Sequence, residues 1–126
     1  MQRFYSGAPW EVKVGYCRAI RAGSIVAVTG TTSIGEDGEV QAEGDAYGQA
    51  KRCLEIIEKA LKAVGAERRH VIRTRMFVTD IKQWQEFGRA HGEFFAAHQP
   101  ATSMIEVKGL IDPRMLIEIE ADAVVL

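Results

Sequence analysis

The sequence is short of most features that mark an exported, membrane-bound or metal-dependent protein. Its two cysteines, Cys17 and Cys53, form no CxxC pair and join no Cys/His cluster at metal-ligand spacing. Neither a disulfide framework nor a structural metal site is therefore expected, and a reducing compartment suits the chain. No run approaches the roughly 18 apolar residues of a membrane span, and the opening Met1-Gln-Arg-Phe-Tyr-Ser-Gly7 lacks an apolar leader core. The expected location is cytoplasmic. Neither charge dominates: 16 Lys and Arg stand against 17 Asp and Glu, a net charge of -1, which disfavours general attraction to nucleic acid or to a membrane surface. Only Pro9, Pro100 and Pro113 interrupt the chain, and no repeat, low-complexity tract or linker divides it. A chain of 126 residues, 47% of them hydrophobic, buries roughly two-thirds of its unfolded surface, so residues 1–126 read as a single domain with one core.

What is present is periodic. Two short runs, Tyr16 to Arg21 and Ser24 to Thr29, flank Ala22-Gly23 and predict an antiparallel hairpin. The glycine- and acid-rich stretch from Gly30 to Gly44 reads as a loop, and its glycines lack a phosphate-binding spacing. Between Asp45 and Val64, Ala46, Ala50, Leu54, Ile57, Leu61 and Val64 recur every three or four residues, and Gly65 stops the pattern, as in an amphipathic helix. His70 to Thr79 alternates like a strand, with Ile72, Thr74, Met76 and Val78 on one face and Arg73, Arg75 and Phe77 on the other. Asp80 followed by Gln83 forms a capping-box pattern ahead of a second helix, whose Trp84, Phe87, Phe94 and Phe95 are expected in the core. Two further strands, Ala101 to Val107 and Met115 to Val125, complete the chain. On the last, Met115, Ile117, Ile119, Ala121 and Ala123 share one face and Glu118, Glu120 and Asp122 the other. A one-residue slip would place three acids in the core, so its register is firmly specified.

The order strand, strand, helix, strand, helix, strand, strand predicts an α+β fold, a sheet with two helices on one face. The opposite face would carry Arg73 and Arg75 beside Glu118, Glu120, Asp122 and Glu106, with Phe77, Leu116 and Val124 among them. A solvated face does not require this mixture of charge and apolar groups, whereas a subunit interface with polar clefts does, so a homo-oligomer is expected.

Five segments, taken in order, resemble the Rid or YjgF-like family: Gly15-Tyr-Cys-Arg-Ala-Ile-Arg-Ala-Gly23, Val26-Ala-Val-Thr-Gly30, Arg75-Met-Phe-Val-Thr-Asp-Ile81, Pro100-Ala-Thr-Ser-Met-Ile-Glu-Val107 and Leu116-Ile-Glu-Ile-Glu-Ala121. The resemblance implies a chorismate-mutase-like fold with a mixed sheet. It also implies a homotrimer whose sheets surround a central barrel, with small-molecule clefts between subunits and no cofactor. Archetypal members hydrolyse reactive enamines and imines to a 2-keto acid and ammonia, an arginine of a Pro-Ala-Arg motif gripping the substrate carboxylate. By this resemblance Tyr16, Thr29 and Gly30 line the cleft, and Glu118 positions the attacking water. The arginine position is Thr102, and a usual cysteine two residues later is Met104, which aligns the chain with subgroups lacking the arginine. A threonine cannot form the charge-assisted fork, so activity on amino-acid-derived imines is expected to be poor.

Several residues carry competing readings. Arg73 or Arg75 could replace the carboxylate anchor, on a face expected to be shared with Thr102, or could pair across strands with Glu106, Glu118 or Glu120. Glu118 is either the water-positioning base or such a partner, and Tyr16 either a cleft wall or a packing residue. His91 and His98 lack a third ligand and read as packing or cap residues, Cys17 and Cys53 as small packing groups, and Glu67-Arg-Arg-His70 as a solvated turn. The leading reading is a cofactor-independent hydrolase of an imine, enamine or carbonyl-type metabolite. The alternative is a non-catalytic ligand-binding or chaperone-like protein, or a ribonuclease or translation inhibitor.

Overall fold

The computed structural model describes all 126 residues. Six strands form one mixed sheet: β1 (Gln2–Phe4), β2 (Ala19–Ala22), β3 (Ile25–Thr31), β4 (Val71–Val78), β5 (Ala101–Glu106) and β6 (Ile117–Val124). Their spatial order is β1-β2-β3-β6-β4-β5, with β4 and β5 parallel and every other pair antiparallel. Three helices accompany the sheet, α1 (Pro9–Val14), α2 (Ala46–Ala63) and α3 (Trp84–Phe94), one more than the sequence pattern predicts. The third is α1, six residues long and too short to show periodicity.

The long elements follow from their sequences. Asp45 caps α2 by accepting the Gly48 N–H at 2.9 Å, and Gly65, at φ +78°, takes the left-handed turn just past its end. The apolar row of α2 is buried, and Cys53, Gln49 and Ala60 are buried with it. The hairpin turns at Gly23, whose φ of +62° joins Ala22 to Ile25 through two residues. Alternation on β6 is regular: Ile117, Ile119, Ala121 and Ala123 meet the helices, and the intervening residues face away. A core of 22 buried residues lies between this sheet face and α2 and α3. Truncating fully buried Ile57 or Phe87 to alanine would cost about 2–5 kcal/mol.

Several local expectations are corrected. A bulge between Val71 and Arg73 turns Ile72 outward, 54% exposed, and puts Val71 in the core in its place. The residues from Asp80 onward begin as a single 3-10 turn, Ile81–Gln83, in which Asp80 accepts the Lys82 N–H, so the reciprocal capping box does not form. Trp84, at the start of α3, is 55% exposed and lies outside the core, whereas Phe87 and Phe95 are buried and Phe94 packs partly against it. Glu106 accepts the Ile81 N–H at 3.0 Å and so serves that turn rather than the charged sheet face.

Helices cover only one face of the sheet. On the other, Arg75 reaches Glu120 at 3.2 Å and Asp122 at 3.1 Å, all three about one-third exposed or more. The apolar Ile25 and Ile105 beside them are also open to solvent.

Candidate ligand site

The segment before β2, with Thr29 of β3, builds a groove of about 480 Å³ whose lining includes Tyr5, Glu11, Gly15, Tyr16 and Cys17. Pro9 suits the first turn of α1, and Gly15, at φ +83°, ends it by a left-handed turn that sends the chain into Tyr16. Glu11 is 3% exposed and is satisfied where it lies. It accepts the Ser6 N–H at 3.0 Å, the Gly7 N–H at 3.3 Å and the Ser6 hydroxyl, and pairs with Arg18 Nε at 3.6 Å. Such a buried carboxylate is stable only because it is multiply bonded.

Arg18 ties this segment to the sheet. Its guanidinium donates to the Gly30 carbonyl at 3.0 Å and to Thr31 Oγ1 at 3.4 Å, and sits 5.6 Å from the Tyr16 ring centre, which holds the ring at the groove wall. Thr29 Oγ1 donates to the Cys17 carbonyl at 3.0 Å. The β3–β6 pairing is irregular between Val28 and Thr31, and Gly30 lies in that bulge. A Cβ on Gly30 would stand 2.5 Å from Glu118 Oε2, so the missing side chain is what makes room for the Glu118 carboxyl. Burial raises the pKa of Glu118, the nearby Glu120 raises it further, and Arg18 works against both. A half-buried carboxyl held this way can exchange a proton with a bound ligand or water more readily than an ordinary solvated glutamate.

Tyr16, Thr29, Gly30 and Glu118 therefore come together, joined by Arg18 and Glu11, which the sequence reasoning missed. Arg18 stands within the Gly15–Gly23 segment, but nothing in its spacing shows that a bulge would give its guanidinium a carbonyl to hold. Glu11 follows Pro9 in a first helical turn, a start signal too brief to stand out.

The remaining candidates lie elsewhere. In the parallel register Thr102 pairs with Thr74 and Ser103 with Arg75, so Thr102 and Met104 are on the helix side and Arg75 on the open side. This corrects the expected shared face. Arg75 is engaged by Glu120 and Asp122. Thr102, exposed on the edge strand, bonds Thr74 Oγ1 at 2.7 Å, and the same oxygen lies 2.7 Å from His91 Nε2. Met104 packs partly against the core. No group of three His, Cys, Asp or Glu side chains is placed to hold a metal ion. Cys53 is buried, which pushes its thiol strongly up.

Residues 7–125 match the sequence profile of the family described as endoribonuclease L-PSP. The chain is 44% identical to the crystal structure of a Mycobacterium tuberculosis member of the YjgF/YER057c/UK114 family, with a TM-score of 0.90 and 98% of each chain covered. An uncharacterised Streptomyces coelicolor protein is 37% identical, over 98% of this chain and 91% of its own. The 3-aminoacrylate deaminase RutC of Acinetobacter baylyi is 32% identical, over 86% of this chain and 85% of its own. With the mixed sheet, the one-sided helices and near-complete coverage in agreement, the chain belongs to the endoribonuclease L-PSP family, the YjgF/YER057c/UK114 group.

Proposed function

We propose that this single-domain chain hydrolyses a reactive imine, enamine or carbonyl-type metabolite, without a cofactor, in clefts between the subunits of a homotrimer. The observation that carries this reading is the Glu118 carboxyl, seated against Gly30 with its proton affinity raised by burial and linked to the Tyr16 groove through Arg18, which donates to the Gly30 carbonyl and stands by the Tyr16 ring. Glu118, as the carboxylate, holds a water against the carbon of a protonated imine and takes one water proton as the C–O bond forms, giving a neutral carbinolamine. It returns that proton to the nitrogen and then accepts the carbinolamine's hydroxyl proton as the C–N bond breaks, so that ammonia leaves, a neutral carbonyl remains and the carboxyl gives up its proton to the departing ammonia or to water. The deaminase activity named for the RutC relative is the same class of reaction.

The trimer is supported by the uncovered sheet face, where ion-paired Arg75, Glu120 and Asp122 lie among Ile25 and Ile105. A second copy would cover this face and bring the edge strand β5 to a neighbour's groove. Thr102 offers that cleft a hydroxyl and no positive charge, so substrates bearing a carboxylate bind poorly. The near-neutral charge weighs against a ribonuclease role.

The test is ammonia release from 2-aminoacrylate and other imines generated in place. Acceleration of at least one imine is expected, weak on 2-aminoacrylate and stronger there after Thr102→Arg. No acceleration of any imine would overturn the proposal.

A further inference from the structure

The hydrogen-bonded chain Thr102–Thr74–His91 joins an exposed hydroxyl to a buried imidazole through a buried hydroxyl. Thr74 is 0% exposed and His91 8%, while Thr102 is open to solvent at the sheet edge. Both links are 2.7 Å long. The His91 ring packs 4.7 Å from the Phe95 ring, which fixes its plane, and burial is the cause of its lowered pKa, so the ring is held neutral.

Satisfying Thr74 requires only His91. The second link, to Thr102, gives the chain two proton arrangements. When His91 Nε2 is the acceptor, Thr74 donates to it and Thr102 donates to Thr74, which leaves Thr102 lone pairs facing outward. When Nε2 carries the proton, it donates to Thr74, Thr74 donates to Thr102, and the Thr102 O–H faces outward. The two arrangements differ in imidazole tautomer and not in net charge.

We propose that Thr102, Thr74 and His91 form an adaptable anchor that recognises an uncharged amide or hydroxyl group of the ligand, in place of a carboxylate. Either arrangement serves an amide, whose oxygen accepts and whose N–H₂ donates. Neither supplies the positive charge that would offset stripping water from a carboxylate. Thr102 touches the ligand; Thr74 and His91 are positioning residues. This inference rests on the proposed cleft running along β5.

The experiment uses the full chain with ¹⁵N-labelled histidine, titrated with pyruvamide and separately with pyruvate. Pyruvamide is expected to shift the His91 Nε2 resonance and to bind at least about fivefold more tightly than pyruvate. Thr102→Val, a near-isosteric change at an exposed position, should abolish both the shift and the preference at unchanged melting temperature. Pyruvate binding as tightly as pyruvamide, a silent His91, or a Thr102→Val protein that keeps both responses would overturn the anchor. Hydrolysis of the pyruvamide imine is measured alongside. A responsive His91 without turnover supports the anchor and counts against hydrolysis, whereas turnover with a silent His91 does the reverse.

Discussion

Gly30→Ala tests how the Glu118 carboxyl is seated. The added Cβ would stand 2.5 Å from Oε2 and 2.9 Å from Cδ of Glu118, both far below van der Waals contact, while its own φ lies outside the left-handed region. The backbone therefore tolerates alanine and the glutamate must move. Replacing a strand glycine gains about 0.5–1 kcal/mol. Swinging Glu118 off its rotamer costs about 0.5–1.5 kcal/mol. Stability, read by urea unfolding, should thus change by less than about 1 kcal/mol. The displaced carboxyl leaves its half-buried seat, so its pKa, followed by ¹³C detection of the side-chain carboxyl and assigned with Glu118→Gln, should fall towards that of a solvated glutamate. Moving a reacting group by about 1 Å also lowers turnover by up to about 100-fold. A Glu118 that titrates in the variant as in the parent, or loss of the fold, would show that Gly30 does not seat the carboxyl.

Three further outcomes follow from named contacts. Gln49 is fully buried, donating to the Arg114 carbonyl and accepting the Leu116 N–H, each at 2.8 Å; Gln49→Ala strands both backbone groups and should cost about 2–5 kcal/mol in urea unfolding. Arg75→Ala should cost about 1 kcal/mol or less if the sheet face is solvated, but about 3–5 kcal/mol with dissociation in sedimentation velocity if copies bury that face, since Glu120 and Asp122 would be left unpaired. Glu118 has a folded pKa above its unfolded value. Its stabilising contribution is thus present below pH 4.5 and lost as pH rises through the folded value, so Glu118→Gln should be more stable than the parent at neutral pH, with the gap closing in acid.

The sheet and its two long helices were legible because their patterns are strong. The β6 alternation put Glu118, Glu120 and Asp122 opposite Ile117, Ile119 and Ala121, and the α2 row ran from Ala46 to Val64 and stopped at Gly65. The profile match and the M. tuberculosis structure bear out the family read from five short segments. Short or irregular features were not legible. β1 and α1 are three and six residues long, and neither spans two full periods of its pattern. The bulge that exposes Ile72 is set by pairing with β6, not by composition, so strict alternation put the wrong residue in the core. Which way Thr102 faces depends on the parallel β4–β5 register reached through α3, a long-range fact absent from the local sequence. Arg18 was missed for the same reason, its partners lying 12 and 13 residues away across the β3 bulge.

If Glu118 serves hydrolysis of a C=N bond, its removal shows in the rate of ammonia release from the best imine substrate, compared between the parent and Glu118→Gln at neutral pH. Removing a general acid–base group predicts a loss of about 100-fold or more. An unchanged rate in Glu118→Gln would mean that this carboxyl takes no part in the hydrolysis.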